Sequence, residues 1–352
     1  MRNHRGCGRT QTFTLLILLL FMVLSGCATR VPITMLKPGN YHQAATAKTV
    51  AVLPFNGPGG RNFASEIEAV LAGVEIQGKP YFTLLDRAKI DKVLSELKLS
   101  QSGLIDQTTA ARAGKMLGAQ GIYTGITLSK TQDSSFTEKR SDCTKHQMEK
   151  DKDGKLYEGI CIRWNNYNVQ CTRRVSIFST TPKLISVSSG RILYSKTLSR
   201  QEDSSGCEDK NPTAGEVELI ERAKNFIKRE FRNDVAPYYE TVEVVLLDST
   251  DNMDSKEAKN LLKSGIEYAD QRRLDKACEL WGQAKPMAPN SVSLSYNLAV
   301  CSEATADYVT ALKLYNEAER LNAKSNENIS FGILRTSRAI ENQKKLDEQL
   351  KD

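Results

Sequence analysis

The feature that most constrains the fold is an internal repeat. Segments 258–291 and 292–325 align at an offset of 34 residues. The first copy supplies Leu261, Gly265, Tyr268, Leu274, Ala277, Trp281, Ala284 and Pro289. The second answers with Ser295, Leu298, Ala299, Ser302, Tyr308, Ala311, Tyr315 and Ala318. Helical spacing on either side of a break, with small residues where helices cross and aromatics beside them, defines a helix–turn–helix unit that buries its apolar face only by stacking. About three units make a stable stack. Two repeats therefore call for a capping helix, and the segment from about Asn328, carrying Ile329, Ile333, Leu334 and Ile340, is placed to provide it.

This pattern resembles the tetratricopeptide (TPR) repeat, with Ser264 in place of the usual Leu and Ala323 in place of the usual Pro. The resemblance implies an inner groove formed by the first helix of each repeat: Lys259, Leu262, Lys263 and Ile266, then Tyr296, Asn297 and Val300. Two lysines and an asparagine beside apolar groups suit a protein or peptide partner with an acidic or C-terminal segment. The alternative is a plain solvated helix surface.

The opening residues fix an address. Arg2, Arg5 and Arg9 precede an apolar run over 13–24, the order of a secretory signal and shorter than the about 20 residues of a spanning helix. Leu24-Ser25-Gly26-Cys27 resembles a bacterial lipobox, which implies cleavage after residue 26 and acylation of Cys27. Several acyl chains hold a protein on a membrane almost irreversibly. Ala28 follows the Cys where an Asp would favour inner-membrane retention in enterobacterial lipoproteins, so the outer membrane is expected, with the body on the periplasmic side or outside. The chain has 49 Lys plus Arg and 42 Asp plus Glu; three of those bases fall in 1–26, leaving 46 against 42. A net +4 on the remainder is no nucleic-acid footprint.

Cysteine usage agrees with export. Besides Cys7 and Cys27 there are Cys143, Cys161, Cys171 and Cys207, with Cys278 and Cys301 in the repeats. An even number in an oxidising compartment predicts disulfides, and the first four allow three connectivities. A metal site using His146 is the rival, without C-x-x-C or H-x₃-H spacing to support it.

Between leader and repeats the pattern is mixed. Residues 27–47 read as a tether, 49–55 (TVAVLPF) as a buried strand, and Phe63, Ile67, Val70 and Leu71 as one face of a helix. A second apolar run spans 81–85. Asp86 can cap a helix facing inward through Ile90, Val93, Leu94 and Leu97. Gly103 marks a turn, Asp106 can cap a helix to Leu117 closed by Gly118, and a strand covers about 121–128. The polar stretch 130–170 reads as a solvated, cysteine-pinned insertion, a hairpin signalled by Asp153-Gly154. Segments 174–187 and 191–198 form a hairpin around Gly190. A helix over 213–233 uses Val217, Ile220, Ala223, Phe226, Ile227 and Phe231, and a last strand, 241–247, closes a domain spanning 48–247. Residues 248–256 are a linker; 257–325 hold the repeats and 326–352 the capping helix. The expected class is an α/β (α+β) mixed-sheet domain followed by an all-α repeat domain.

Two stretches carry a family resemblance: Val50-Ala51-Val52-Leu53-Pro54-Phe55, and the series from Leu85-Asp86-Arg87 through Ser102-Gly103-Leu104-Ile105-Asp106 to Ala119-Gln120-Gly121-Ile122-Tyr123-Thr124-Gly125. They resemble the periplasmic domain of the curli-secretion lipoproteins, the CsgG type, over roughly 48–130. That resemblance implies an open mixed sheet with helices on one side, a fold related to the activators of penicillin-binding proteins. It also raises a secretion pore, an oligomer of chains, whose barrel strands need about 9–11 residues alternating apolar and polar. Ile160, Ile162 and Trp164 alternate with Cys161 and Arg163, but 142–152 (DCTKHQMEKDK) has no apolar face and 200–212 is strongly charged. The insertions thus depart from the pore pattern.

No Ser-His-Asp set, HExxH or GxSxG is present, and only His42 and His146 remain beyond the leader. Asn56-Gly57-Pro58-Gly59-Gly60 lacks G-K-[ST] and GxGxxG and reads as a strand-to-helix turn; 145–155 lacks the closing Glu of a calcium loop. The expectation is a non-enzymatic docking or assembly factor without cofactor or metal, with a secretion-channel subunit and a cell-wall-synthase activator as alternatives.

Overall fold

The computed structural model describes residues 28–96 and 107–351. The leader, Cys27, Leu97, the side chain of Leu94 and the turn at 102–106 lie outside the described residues. The chain divides into two compact units: one takes residues up to Lys37 with Tyr239–Lys344, the other Pro38–Tyr238 with Lys345–Asp352.

The sheet unit starts with a short helix, α1 (His42–Ala45), and strand β2 (Thr49–Val52). The glycine-rich turn leads into α2 (Gly60–Ala72), which buries Phe63, Ile67 and Leu71 as the periodicity predicts. Gly57 there has φ +91° and packs against the Thr127 carbonyl, so the turn is a tight strand-to-helix corner. A two-residue hairpin, β3 (Glu75–Ile76) and β4 (Lys79–Pro80), precedes the short β5 (Thr83–Leu84). Helix α3 (Arg87–Glu96) is capped as expected, the Lys89 amide donating to Asp86 Oδ1 at 3.1 Å. Helix α4 (Gln107–Leu117) ends at Gly118, φ +73°.

Two very long strands follow, β6 (Gly121–Lys150) and β7 (Leu156–Ser186), paired antiparallel almost throughout, then β8 (Ile192–Ser195), β9 (Leu198–Cys207) and α5 (Glu216–Val235). The sheet order is β5-β2-β6-β7-β8, with β9 beside the outer stretch of β7; β2 runs parallel to β5 and β6. Helices cover both faces rather than the one expected. Alternation along β6 turns Ile122 toward α4, where Gly114 leaves room for it, and Tyr123 toward Phe231 of α5, ring centroids 5.4 Å apart. The α5 stripe is Leu219, Ala223, Ile227 and Phe231; Val217, expected inside, is exposed.

The second unit revises the expected organisation. Residues expected to be an irregular tether form β1 (Arg30–Lys37), which pairs with β10 (Tyr238–Val245) in a separate two-stranded sheet. The 241–247 segment therefore does not close the large sheet. The signal was the alternation Val31, Ile33, Met35, each buried. Four repeat helices follow, α6 (Lys256–Asp270), α7 (Leu274–Ala284), α8 (Val292–Ala304) and α9 (Tyr308–Leu321), and then the long α10 (Glu327–Leu350). One core joins Trp281, Tyr296 and Tyr315 with Val31, Ile33, Met35, Val244 and Leu246. Two repeats alone would leave an apolar face open, and the small sheet covers it. The helices thus do not form a separate all-α domain.

Candidate functional site

The expected groove is filled by its own chain. Leu262, Tyr296, Asn297 and Val300 are buried, Lys259 and Ile266 are half-buried, and Lys263 is exposed. Asn297 reads the main chain of Leu247 in both directions: its Oδ1 accepts from the Leu247 amide at 3.0 Å and its Nδ2 donates to the Leu247 carbonyl at 2.8 Å. The Tyr296 hydroxyl donates to the Val245 carbonyl at 2.9 Å, and Ser293 to the Ser249 carbonyl at 2.7 Å. Part of the expected linker is thereby clamped onto the helices. The physical reason is satisfaction of buried main-chain groups, which an asparagine amide does without regard to side-chain identity. The groove reading needs revision for these residues: an incoming peptide would meet an occupied face.

One open concavity of this unit lies elsewhere. A groove of about 400 Å³ runs between the small sheet and α10, lined by Met35, Val242, Phe331, Leu334, Arg338 and Asn342, among others. Phe331 is 59% and Leu334 47% exposed, although Leu334 was expected inside. Phe331, Leu334 and Arg338 recur at i, i+3 and i+7, about half a turn from Ile329, Ile333 and Ile340; α10 therefore carries two stripes, a pattern visible in the sequence but not used there. Beneath the groove, Arg335 is held by the fully buried Glu303: its Nη2 donates to Glu303 Oε2 at 2.7 Å, and the Tyr315 hydroxyl donates to the same oxygen at 2.7 Å. Burial, then the Glu303 charge, pushes the Tyr315 hydroxyl far above the ordinary phenol range. This network orients α10 on the repeats.

The sheet unit has the second prominent surface. At about 3.3 Å per residue, β6 and β7 make a ribbon of roughly 100 Å. Strand β9 accompanies β7 from Thr180 to Cys171; from there to the turn at 151–155 the ribbon is two strands. Asp133 and Arg174 face each other near its root in a fork, with Arg174 donating from Nε at 2.8 Å and from Nη2 at 2.7 Å. Farther out, Tyr167 donates to Asp142 at 2.7 Å and Tyr157 to Glu149 at 2.9 Å. The expected solvated hairpin is therefore present, but as a continuation of the central strands.

The cysteines resolve one of the three connectivities. Cys143 pairs with Cys161 across the ribbon, Cys171 with Cys207 where β9 ends, and Cys278 with Cys301 between α7 and α8. Glu138 lies beside Cys171 and Cys207, but both sulfurs are spent on each other and offer no thiolate to a metal. His146 sits 3.4 Å from Glu158, an ion pair when protonated. A buried acid the sequence did not reveal is Asp234, which accepts from Tyr194 at 3.0 Å, Lys196 at 2.9 Å and Asn40 at 3.0 Å and so ties α5 to β8. Its partners satisfy it fully, the pattern of a structural acid.

No family model and no curated protein matches the chain. Solved structures that match include the LpoB C-terminal domain from Salmonella enterica, at 16% identity over 45% of this chain and 84% of that one, TM-score 0.25. Lipoprotein GNA1162 from Neisseria meningitidis matches at 9% identity over 52% and 99%, TM-score 0.26. The PelC dodecamer from Paraburkholderia phytofirmans matches at 13% identity over 58% and 98%, TM-score 0.23. Likeness at these scores supports no inference about activity or partners.

Proposed function

We propose that this chain is an outer-membrane lipoprotein, anchored through acyl chains on Cys27 with its body on the periplasmic side, that serves as a non-enzymatic docking factor in secretion or envelope biogenesis. The docking role rests on one observation: the open groove of the repeat unit, where Phe331 and Leu334 keep about half their surface in water beside the exposed Arg338. Apolar anchors in a concavity with a cation at the rim suit a protein segment carrying aliphatic and acidic side chains. The address rests on Leu24–Cys27 and on three cystines, which belong to an oxidising compartment. The test is radiolabelled palmitate incorporation and membrane fractionation. Label and outer-membrane sedimentation should both vanish in Cys27→Ala; retention of either would refute the anchor.

A second reading, a subunit of a CsgG-type secretion channel, is favoured by the ribbon. It continues strands of the central sheet and is far longer than the 9–11 residues a membrane strand needs. The polar outer stretch of β6 weighs against it, since charges on a lipid face cost about 2–4 kcal/mol each at the midplane. Light scattering on the detergent-extracted chain separates the two: one or two copies leave the docking factor, and a large closed ring makes the channel the better account.

A further inference from the structure

We infer that the repeat unit has no tether and rests directly on the bilayer, with Thr29 and the 246–252 segment against the phospholipid headgroups. The inference rests on acylation of Cys27. The residues expected to be a tether are a strand, β1, and order begins still earlier: the Thr29 carbonyl accepts from the Leu246 amide at 2.9 Å. Val31 and Ile33 are then fixed in the core of the repeats. A fully extended chain covers at most about 7 Å from Cys27 to Thr29. Acyl chains buried in the hydrocarbon layer hold Cys27 at the headgroups. Neighbouring strands lie about 5 Å apart, so Leu246 arrives there with Thr29, and Asp248 is at most about 20 Å from Cys27.

The chemistry of this end suits contact without insertion. Neither 246–252 nor 321–326 exposes a large apolar side chain. A hollow of about 510 Å³ opens between these segments, lined by Asp248, Ser249, Asp251, Asn322, Lys324 and Asn326, among others. Carboxylates beside a cation and two amides can meet both the ammonium and the phosphate of a zwitterionic headgroup. A purely anionic surface calls instead for a basic cluster, which these segments lack. The same reach bounds the docking groove. Met35 lines it and follows Cys27 by eight residues, so it lies at most about 29 Å from the anchor. A partner segment has to come to the membrane to fill it.

The experiment places a fluorescent amino acid at the exposed Asp248 of the full, acylated chain. The protein is reconstituted into phosphatidylethanolamine–phosphatidylglycerol vesicles that carry nitroxide on the lipid headgroups. Flotation reads the anchor and quenching reads the surface. The chain should float and lose about half its emission. A Gly/Ser insert of about 20 residues between Ala28 and Thr29, with a mean span of about 25 Å, should leave flotation intact and restore most of that emission. The insert precedes β1, and mass spectrometry should find all three cystines in both proteins. A chain that floats with Asp248 unquenched would overturn the surface and leave the anchor standing. A chain that does not float would overturn the anchor, and the surface with it. Quenching that survives the insert would also overturn the inference, since the short connection would not be what brings this end to the bilayer.

Discussion

The ribbon and the helical repeats are both hairpins locked by a cystine, and they show opposite ways of holding two elements together. In the repeats, Cys278–Cys301 joins α7 to α8 beside a core that already contains Trp281, Ala277, Ala299 and Tyr315. In the outer ribbon no core exists: a ladder of main-chain bonds, a few cross-strand side-chain pairs and Cys143–Cys161 hold it, with Arg140 reaching Asp209 nearer its base. Burial of apolar area dominates folding, while a solvent-exposed hydrogen bond contributes little net. Stability should therefore be concentrated in the repeats, and the ribbon should open locally while the rest stays folded.

The largest expected effect strikes the repeats. Trp281 is fully buried, and its Nε1 donates to the Leu262 carbonyl at 3.2 Å. Trp281→Ala should cost about 3–5 kcal/mol, the usual range for a buried tryptophan replaced by alanine. The facing position gives a sharper form of the same test. A Cβ on Gly265 would lie 2.2 Å from Trp281 Nε1, so Gly265→Ala should destabilise by about 1–3 kcal/mol although alanine is the better helix former. Thermal unfolding followed by circular dichroism measures both; an unchanged or raised Tm for Gly265→Ala would show that the helices can separate freely, and the contrast with the ribbon would fail.

These residues also mark how much the sequence discloses. Gly265 and Trp281 were legible because a helix crossing imposes a small residue opposite a large one, and the 34-residue offset repeats the pattern as Ala299 and Tyr315. The strand–turn–helix at 49–72 and the Asp86 cap were legible because each is decided within a few residues. The pairing of β1 with β10 was not, since alternation in Val31, Ile33 and Met35 states that a strand exists without naming its partner some two hundred positions away. That is also why the inner face of the repeats looked open: Asn297 and Tyr296 bind main-chain atoms, which carry no sequence signature. Nor could composition separate a polar loop from a polar ribbon, because a solvated two-stranded ladder needs no apolar face to extend a strand already begun in the core.

The next effect is local and belongs to the ribbon. Cys143→Ser/Cys161→Ser removes its outermost covalent tie, and amides over 137–170 should then exchange with solvent faster by tenfold or more. Amides of α6–α9 should be unaffected, and the Tm of the core should move by no more than about 1–2 °C. Cys278→Ser/Cys301→Ser should do the reverse, lowering the Tm of the repeats without touching ribbon exchange. Hydrogen exchange read by mass spectrometry distinguishes these outcomes. Equal protection of the ribbon in the first variant would mean that something besides the cystine holds it.

The smallest effect is electrostatic, and it can be set beside an equivalent in the repeats. The Arg174 hydrogen bonds hold the Asp133 carboxyl below its usual range, against the opposing effect of desolvation; in the same way the Arg273 fork lowers Asp275 to about 2. A carboxylate whose folded pKa lies below its unfolded value, near 3.8, adds stability that is fully present above that value and is lost as pH falls through the folded one. Acidification below about 4 should therefore loosen both pairs. Their consequences should differ. Asp133 spans a β6–β7 rung, so acid should raise amide exchange along the ribbon root, whereas Asp275 joins neighbours within one helix start and its protonation should leave the repeats intact. Carboxyl titration by NMR should show Arg174→Ala raising the Asp133 midpoint toward the ordinary aspartate value, and Arg273→Ala doing the same for Asp275. Both pairs are exposed to solvent, so salt should shrink each shift. An Asp133 midpoint unmoved by Arg174→Ala would mean that the rung is not closed in solution, and the ribbon would then be looser at its root than at its cystine.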